Sequence, residues 1–295
     1  AYSVPKYHFN YKAACCFASR YYLFMQDWDN AIKYATMALT SNPSSLLRDY
    51  SAIAALPNGT SRHQEYVNSA STANFLLQAA TSNSGLLFDW YSTAGRYSHG
   101  KLQGIYETVQ PKKGGPWGSS VTFKAPHAVL ASSGKYVLPR TWRVFQYTDP
   151  VAGTGFNKAI SVLFTSEEAL LNRAEAYIMK MNEDPTALDK ALEDINLYAA
   201  NLFSAGFKSM TEASIIKWAT ETYPDYSELY VGKTSVSSPQ TLNPKKKLHA
   251  APYNTLEEGG PQESMLHAPL PVPPRRHAVV RHPSLRHHGL PLPAR

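Results

Sequence analysis

The chain has 295 residues, a formal net charge of +7 and a hydrophobic content of 43%. That content supports a sizeable core in one large domain or two small ones, and no run approaches the apolar length of a membrane-spanning helix. The charge does not mark a nucleic-acid partner: residues 245 to 295 hold eight of the 29 Lys and Arg and three of the 22 Asp and Glu, which leaves 21 basic against 19 acidic residues elsewhere. A nucleic-acid protein carries its basic stripe on folded elements with aromatics interleaved, whereas Lys245-Lys246-Lys247 reads as a solvated run.

Two apolar-striped segments open the chain, Tyr11 to Met25 and Trp28 to Leu39, split by Gln26-Asp27. They read as an antiparallel helical hairpin. Tyr22, Ala31, Ala38 and Pro43 stand at the offsets of the tyrosine, two alanines and closing proline of a tetratricopeptide unit. Cys15 and Cys16 are adjacent on the first helix, so they point to different faces and do not reach disulfide geometry.

Residues 44 to 160 are less regular. Ser44 to Leu56 reads as a short helix and Pro57-Asn58-Gly59 as a turn. Asn74 to Ala80 and Gly85 to Tyr91 are apolar runs. Residues 112–116 form a Lys- and Gly-rich loop, and Val121 to Lys124, Val137 to Pro139 and Trp142 to Tyr147 read as short strands.

Thr165 with Glu168 three residues on is a capping box that starts a helix. Leu170, Leu171, Ala174, Tyr177, Ile178 and Met181 share one face at helical spacing. Asn182-Glu183-Asp184-Pro185 ends that helix, and Pro185 suits the first turn of the next. Leu188, Ala191, Leu192, Ile195, Ala199 and Leu202 then form a second stripe, closing a second hairpin through Phe203. Small alanines at the contact let the backbones approach. The two hairpins lie too far apart in sequence for a regular solenoid, whose repeats stack directly on their neighbours.

Phe164 to Tyr177, with its Leu170-Leu171-Asn172-Arg173-Ala174-Glu175-Ala176-Tyr177 helix, and the following Ala191-x-x-Asp194-Ile195-Asn196 resemble the SusD/RagB family of outer-membrane nutrient-binding lipoproteins from glycan-using Bacteroidetes. Arg20 to Phe24, with Asp29, Ala31, Ile32, Tyr34 and Ala35, is similar to that family's earlier helical pair. The resemblance covers about residues 8 to 240 and implies a mainly α, SusD-like fold of tetratricopeptide-type hairpins with irregular loops and a few short strands. It implies non-catalytic capture of an oligosaccharide or other nutrient at the cell surface, in the outer membrane, for delivery to a TonB-dependent transporter. The family is anchored through a lipidated cysteine and carries a substantial portion ahead of the first hairpin. The chain is therefore expected to be a fragment, 1–243 a partial nutrient-binding domain without its anchor.

Residues 244–295 depart from the family. From Pro244 on there are ten prolines and six histidines, a composition that argues for a disordered tail. Val279 to His288 can be encoded GTG GTA CGG CAT CCG TCG CTT CGA CAT CAC. Read one nucleotide later, that string gives tryptophan, tyrosine, glycine, isoleucine, arginine, arginine, phenylalanine, aspartate and isoleucine, the composition of the family's late packed segment. The tail is expected to be that segment out of frame, and resequencing decides it.

Enzyme motifs fail. Gly232-Lys233-Thr234 ends like a phosphate-binding loop, but Ser227 stands where the first glycine is required, and no G-x-S-x-G elbow or H-E-x-x-H occurs. Glu167-Glu168 is explained by its place in a helix first turn. The tail histidines lack metal-ligand spacing, and no cofactor is implied.

Trp90, Tyr91, Tyr97, Tyr106 and Trp117 occur among Ser, Gly, Asn and His in loop-like sequence. Sugar rings stack their C–H faces on exposed aromatics while their hydroxyls need polar partners, for which Asp89, Arg96 and His99 are placed. Packing between loops and helices is the competing role for each of these rings. A scaffold whose hairpins bind a protein or peptide is the alternative function, and a glycan-active enzyme a third.

Overall fold

A computed structural model describes residues 2–83, 124, 128–130, 135–137, 141–204, 206–220, 230–231 and 240–241. Helix α1 spans Tyr11–Met25 and α2 spans Trp28–Leu39. Asn10 caps α1 by accepting from the Ala13 amide, and Asp27 caps α2 by accepting from Asn30. The reversal takes two residues because Gln26 enters the left-handed region at φ +60°. The first hairpin forms as its periodicity predicts, and Ala31, Ala35 and Ala38 are fully buried on its second helix.

The expected helix over Ser44–Leu56 is instead two pieces, a 3₁₀ turn at Pro43–Leu46 and helix α3 at Tyr50–Ala55. Asp49 accepts from the Ala52 amide and starts α3 afresh, while the Arg48 amide leaves the helical ladder to donate to Glu167. Asn58 is likewise a cap rather than a turn residue. It accepts from Ser61 at the start of α4, Gly59–Tyr66, which the sequence reading missed.

Strands β1 (Asn74–Thr81), β2 (Ala128–Leu130), β3 (Lys135–Val137), β4 (Thr141–Asp149) and β5 (Thr154–Thr165) follow. β2 and β3 pair only with each other, and the main sheet is antiparallel in the order β1-β5-β4. Leu77 opposes Val162 and Ala79 opposes Ile160 across β1 and β5. β1 ends its pairing at Thr81 opposite Lys158, but β4 and β5 continue to Asp149 opposite Thr154, so a two-stranded ribbon runs beyond the three-stranded part. β4 contains the predicted Trp142–Tyr147 strand. β5 had not been expected, although Phe156, Ile160, Val162 and Phe164 mark an even-numbered apolar row.

β5 runs straight into helix α5, Ser166–Lys180, and α6 follows at Ala187–Leu202. Thr165 caps α5 through the Glu168 amide at 3.0 Å, the first half of the expected capping box. The second half is absent: the Glu168 carboxylate is held by Arg20 of α1. Pro185 lies before the Thr186 cap of α6 and not in its first turn. Helix α7, Glu212–Thr220, and the paired dipeptides β6, Tyr230–Val231, and β7, Gln240–Thr241, complete the described elements. The expected segments at 85–91, 112–116 and 121–123 and the tail from 244 lie outside the described residues.

The chain is mainly α with a small sheet. α1 packs on α2, α2 on α5 and α5 on α6, and the sheet closes one side of this stack. Because it sits centrally, α5 is buried nearly all round: Leu170, Ala174, Ala176 and Ile178 are fully inaccessible, and so is Glu167. The core joins Leu39, Phe75, Leu77, Val162, Leu170, Ile195, Tyr198 and Phe203 into one cluster. Each such large side chain contributes about 1.5–3 kcal/mol by leaving water.

Candidate binding surface

Three ion pairs hold the scaffold on which any surface must stand. Arg20 spans from α1 to Glu168 with two donors, gives a third to the Leu163 carbonyl at 3.1 Å, and lies 4.5 Å over the Phe164 ring. Arg173 grips Asp194 with two bonds of 2.8 and 2.7 Å, tying α5 to α6. Burial raises the Asp194 carboxyl, and Arg173 offsets part of that rise. Arg48 is buried; burial works against its charge, but Glu167 together with Tyr66 and Tyr50 outweighs it and the guanidinium stays protonated. It donates to the Tyr66 carbonyl at 2.7 Å and Asn74 Oδ1 at 2.6 Å, and its Nε lies 3.4 Å from Glu167 Oε1.

These pairs are structural. Glu167 and Glu168, assigned from sequence to the helix dipole and to capping, each fix an arginine from an earlier part of the chain as well. Asn196, in the Asp-Ile-Asn segment, donates to the Met210 carbonyl and accepts from the Met210 amide, and so holds the chain just before α7.

The polar surface with exposed aromatics is the β4–β5 ribbon. Side chains alternate across a strand, so Phe145 and Tyr147 share a face, and Asn157 joins them because it pairs with Phe145. The two rings meet edge to face at 4.9 Å between centroids. Phe145 is 40% and Tyr147 58% exposed. Gly155 sits opposite Tyr147, where a Cβ would fall 2.2 Å from the Gln146 carbonyl oxygen, so the close backbone approach of the two strands requires glycine. The Asn157 amide nitrogen donates to Asn83, and the Ser82 amide donates to the Asn157 carbonyl. Two fixed aromatic faces beside an oriented amide can stack on an apolar ring face and meet hydroxyls at its edge.

The sequence reading missed this surface. It took Trp142–Tyr147 as a strand without asking which face its odd-numbered residues present, and the absence of β5 from that reading hid Gly155 and Asn157. Asp89, Trp90, Tyr91, Arg96, Tyr97, His99 and Trp117, together with Tyr106, lie outside the described residues. No family model, curated protein or solved structure matches the chain.

Proposed function

We propose that the protein is a SusD-like, cell-surface binding protein that captures an oligosaccharide or related nutrient for a TonB-dependent outer-membrane transporter, without transforming it. The observation that carries the reading is the exposed Phe145–Tyr147 pair with Asn157, presented on a ribbon that grows from the helical scaffold. The scaffold supports it. The Leu-Leu-Asn-Arg-Ala-Glu-Ala-Tyr helix and the earlier pair stack as two helical hairpins, with Ala31, Ala174 and Ala191 fully buried. On this reading Trp90, Tyr91 and Trp117 supply further stacking faces, and Asp89, Arg96, Tyr97 and His99 further ligand contacts.

Affinity electrophoresis of the intact protein through gels containing defined polysaccharides tests the proposal. Retardation by at least one glycan, with no change in that glycan's chain length, is the expected result. Uniform migration through plant, microbial and host glycans would leave the protein- or peptide-binding scaffold as the better account, and shortening of the glycan would make it an enzyme.

A further inference from the structure

Helix α1 carries apolar side chains around its whole circumference. It buries Ala13, Cys15, Cys16, Ser19 and Leu23 against α2, α5 and the sheet. At 100° per residue those positions fill one half of the helix. The other half displays Tyr11, Ala14, Phe17, Ala18, Tyr21 and Met25, with Phe24 at its margin. The four large side chains among the first six are between 49% and 64% exposed, and Phe24 is 52% exposed. The helix's two charges lie off this arc: Arg20 is engaged with Glu168, and Lys12 is over the Phe75 ring. A helix apolar all round belongs in an interior, and the end of a helical stack needs a polar outer face to stand alone in water. No described element covers the arc.

We propose that a second copy of this chain covers it, packing α1 antiparallel on α1 across a two-fold axis that passes between Phe17 and Ala18. The pattern is self-complementary about that point. Antiparallel pairing sets Ala14 opposite the partner's Tyr21 and Ala18 opposite the partner's Phe17, while Tyr11 meets the partner's Phe24 and Met25. Large side chains thus enter the gaps over alanine in both directions, as an isologous contact requires, and no like charges meet. Tyr2 and Phe9, 65% and 60% exposed, extend the patch at its margin. Half-exposed aromatic side chains of roughly 150–250 Å² each bring the covered area to about 700 Å² per copy, close to the ~800 Å² of a stable interface.

Sedimentation equilibrium and light scattering on the full chain test this. The parent protein should be a dimer that dissociates on dilution. Tyr21→Lys, at an exposed position, and Ala18→Glu, at a half-buried one, should keep the parent's helical circular dichroism and weaken self-association at least about tenfold, because each buries an unpartnered charge in the contact. Ala18→Cys should form a disulfide-linked dimer under mild oxidation, while Lys33→Cys on α2 should not. A parent protein that stays monomeric at every concentration overturns the proposal, and so does a dimer that survives both charge substitutions. Should either charge variant misfold, failure of Ala18→Cys to cross-link overturns it equally.

Discussion

Removing one partner of the buried Arg48–Glu167 pair should be among the most damaging single changes in this fold. Arg48 is only 2% exposed and Glu167 is fully buried, and Glu167 sits in the first turn of α5, the central helix. Arg48→Met strands the Glu167 carboxylate in the interior, leaving it, among the described residues, the backbone amide of position 48 at 3.3 Å and the Ser166 hydroxyl at 3.5 Å as donors. It also strips the Tyr66 carbonyl and Asn74 Oδ1 of their charged donor. A stranded buried charge costs about 3–5 kcal/mol. Glu167→Leu should cost a similar amount by leaving the guanidinium uncompensated. The double variant should lose less than the sum by at least about 2 kcal/mol, since both charges depart together. Urea unfolding read by circular dichroism, with the slope checked for constancy, measures all three. The reasoning fails if each single variant stays within about 1 kcal/mol of the parent, or if the two costs simply add.

Other perturbations probe separate parts of the fold. Ala174→Leu should overpack the α5 contact by roughly 1–3 kcal/mol, and an unchanged urea midpoint would place that face in water. Thr165→Val should cost about 1 kcal/mol by leaving the Glu168 amide without its cap, which thermal unfolding would show as a lowered Tm; no shift would contradict the observed cap. Burial pushes the Cys16 thiol well above the ordinary cysteine range, so the thiolate is scarce at neutral and mildly alkaline pH. A thiol reagent should label Cys16 slowly in the native protein and fast in denaturant, and fast native labelling would show that α1 opens readily. Trp90→Ala and Trp117→Ala should each weaken ligand affinity, and titration calorimetry showing no change in both would assign those rings to packing.

The parts of the fold legible in the sequence were those with helical periodicity over three or more turns. α1, α2, α5 and α6 announced themselves through apolar residues three and four apart and through Thr165. Short helix α3 was read only as part of a longer helix and α4 not at all, because their starts depend on caps from Asp49 and Asn58 that also read as turn residues. β5 was missed because Lys158 interrupts its even-numbered apolar row, and because one of its two partners, β1, comes from distant sequence. The long-range pairs were illegible for a similar reason. Nothing near Arg48 predicts Glu167, and nothing in a capping box predicts that its glutamate will prefer Arg20. The ribbon surface required the register of β4 on β5, since only pairing brings Gly155 and Asn157 beside Tyr147 and Phe145.

Isothermal titration of the intact protein with a glycan that retards it, comparing the parent with Phe145→Ala/Tyr147→Ala, addresses the proposed capture function at its named surface. Both side chains are exposed, so the double variant should unfold at nearly the parent's urea midpoint. Loss of two stacking faces worth roughly 0.5–1.5 kcal/mol each should weaken binding about fivefold or more. Affinity unchanged in a folded double variant would contradict the assignment of the ribbon as the capture site.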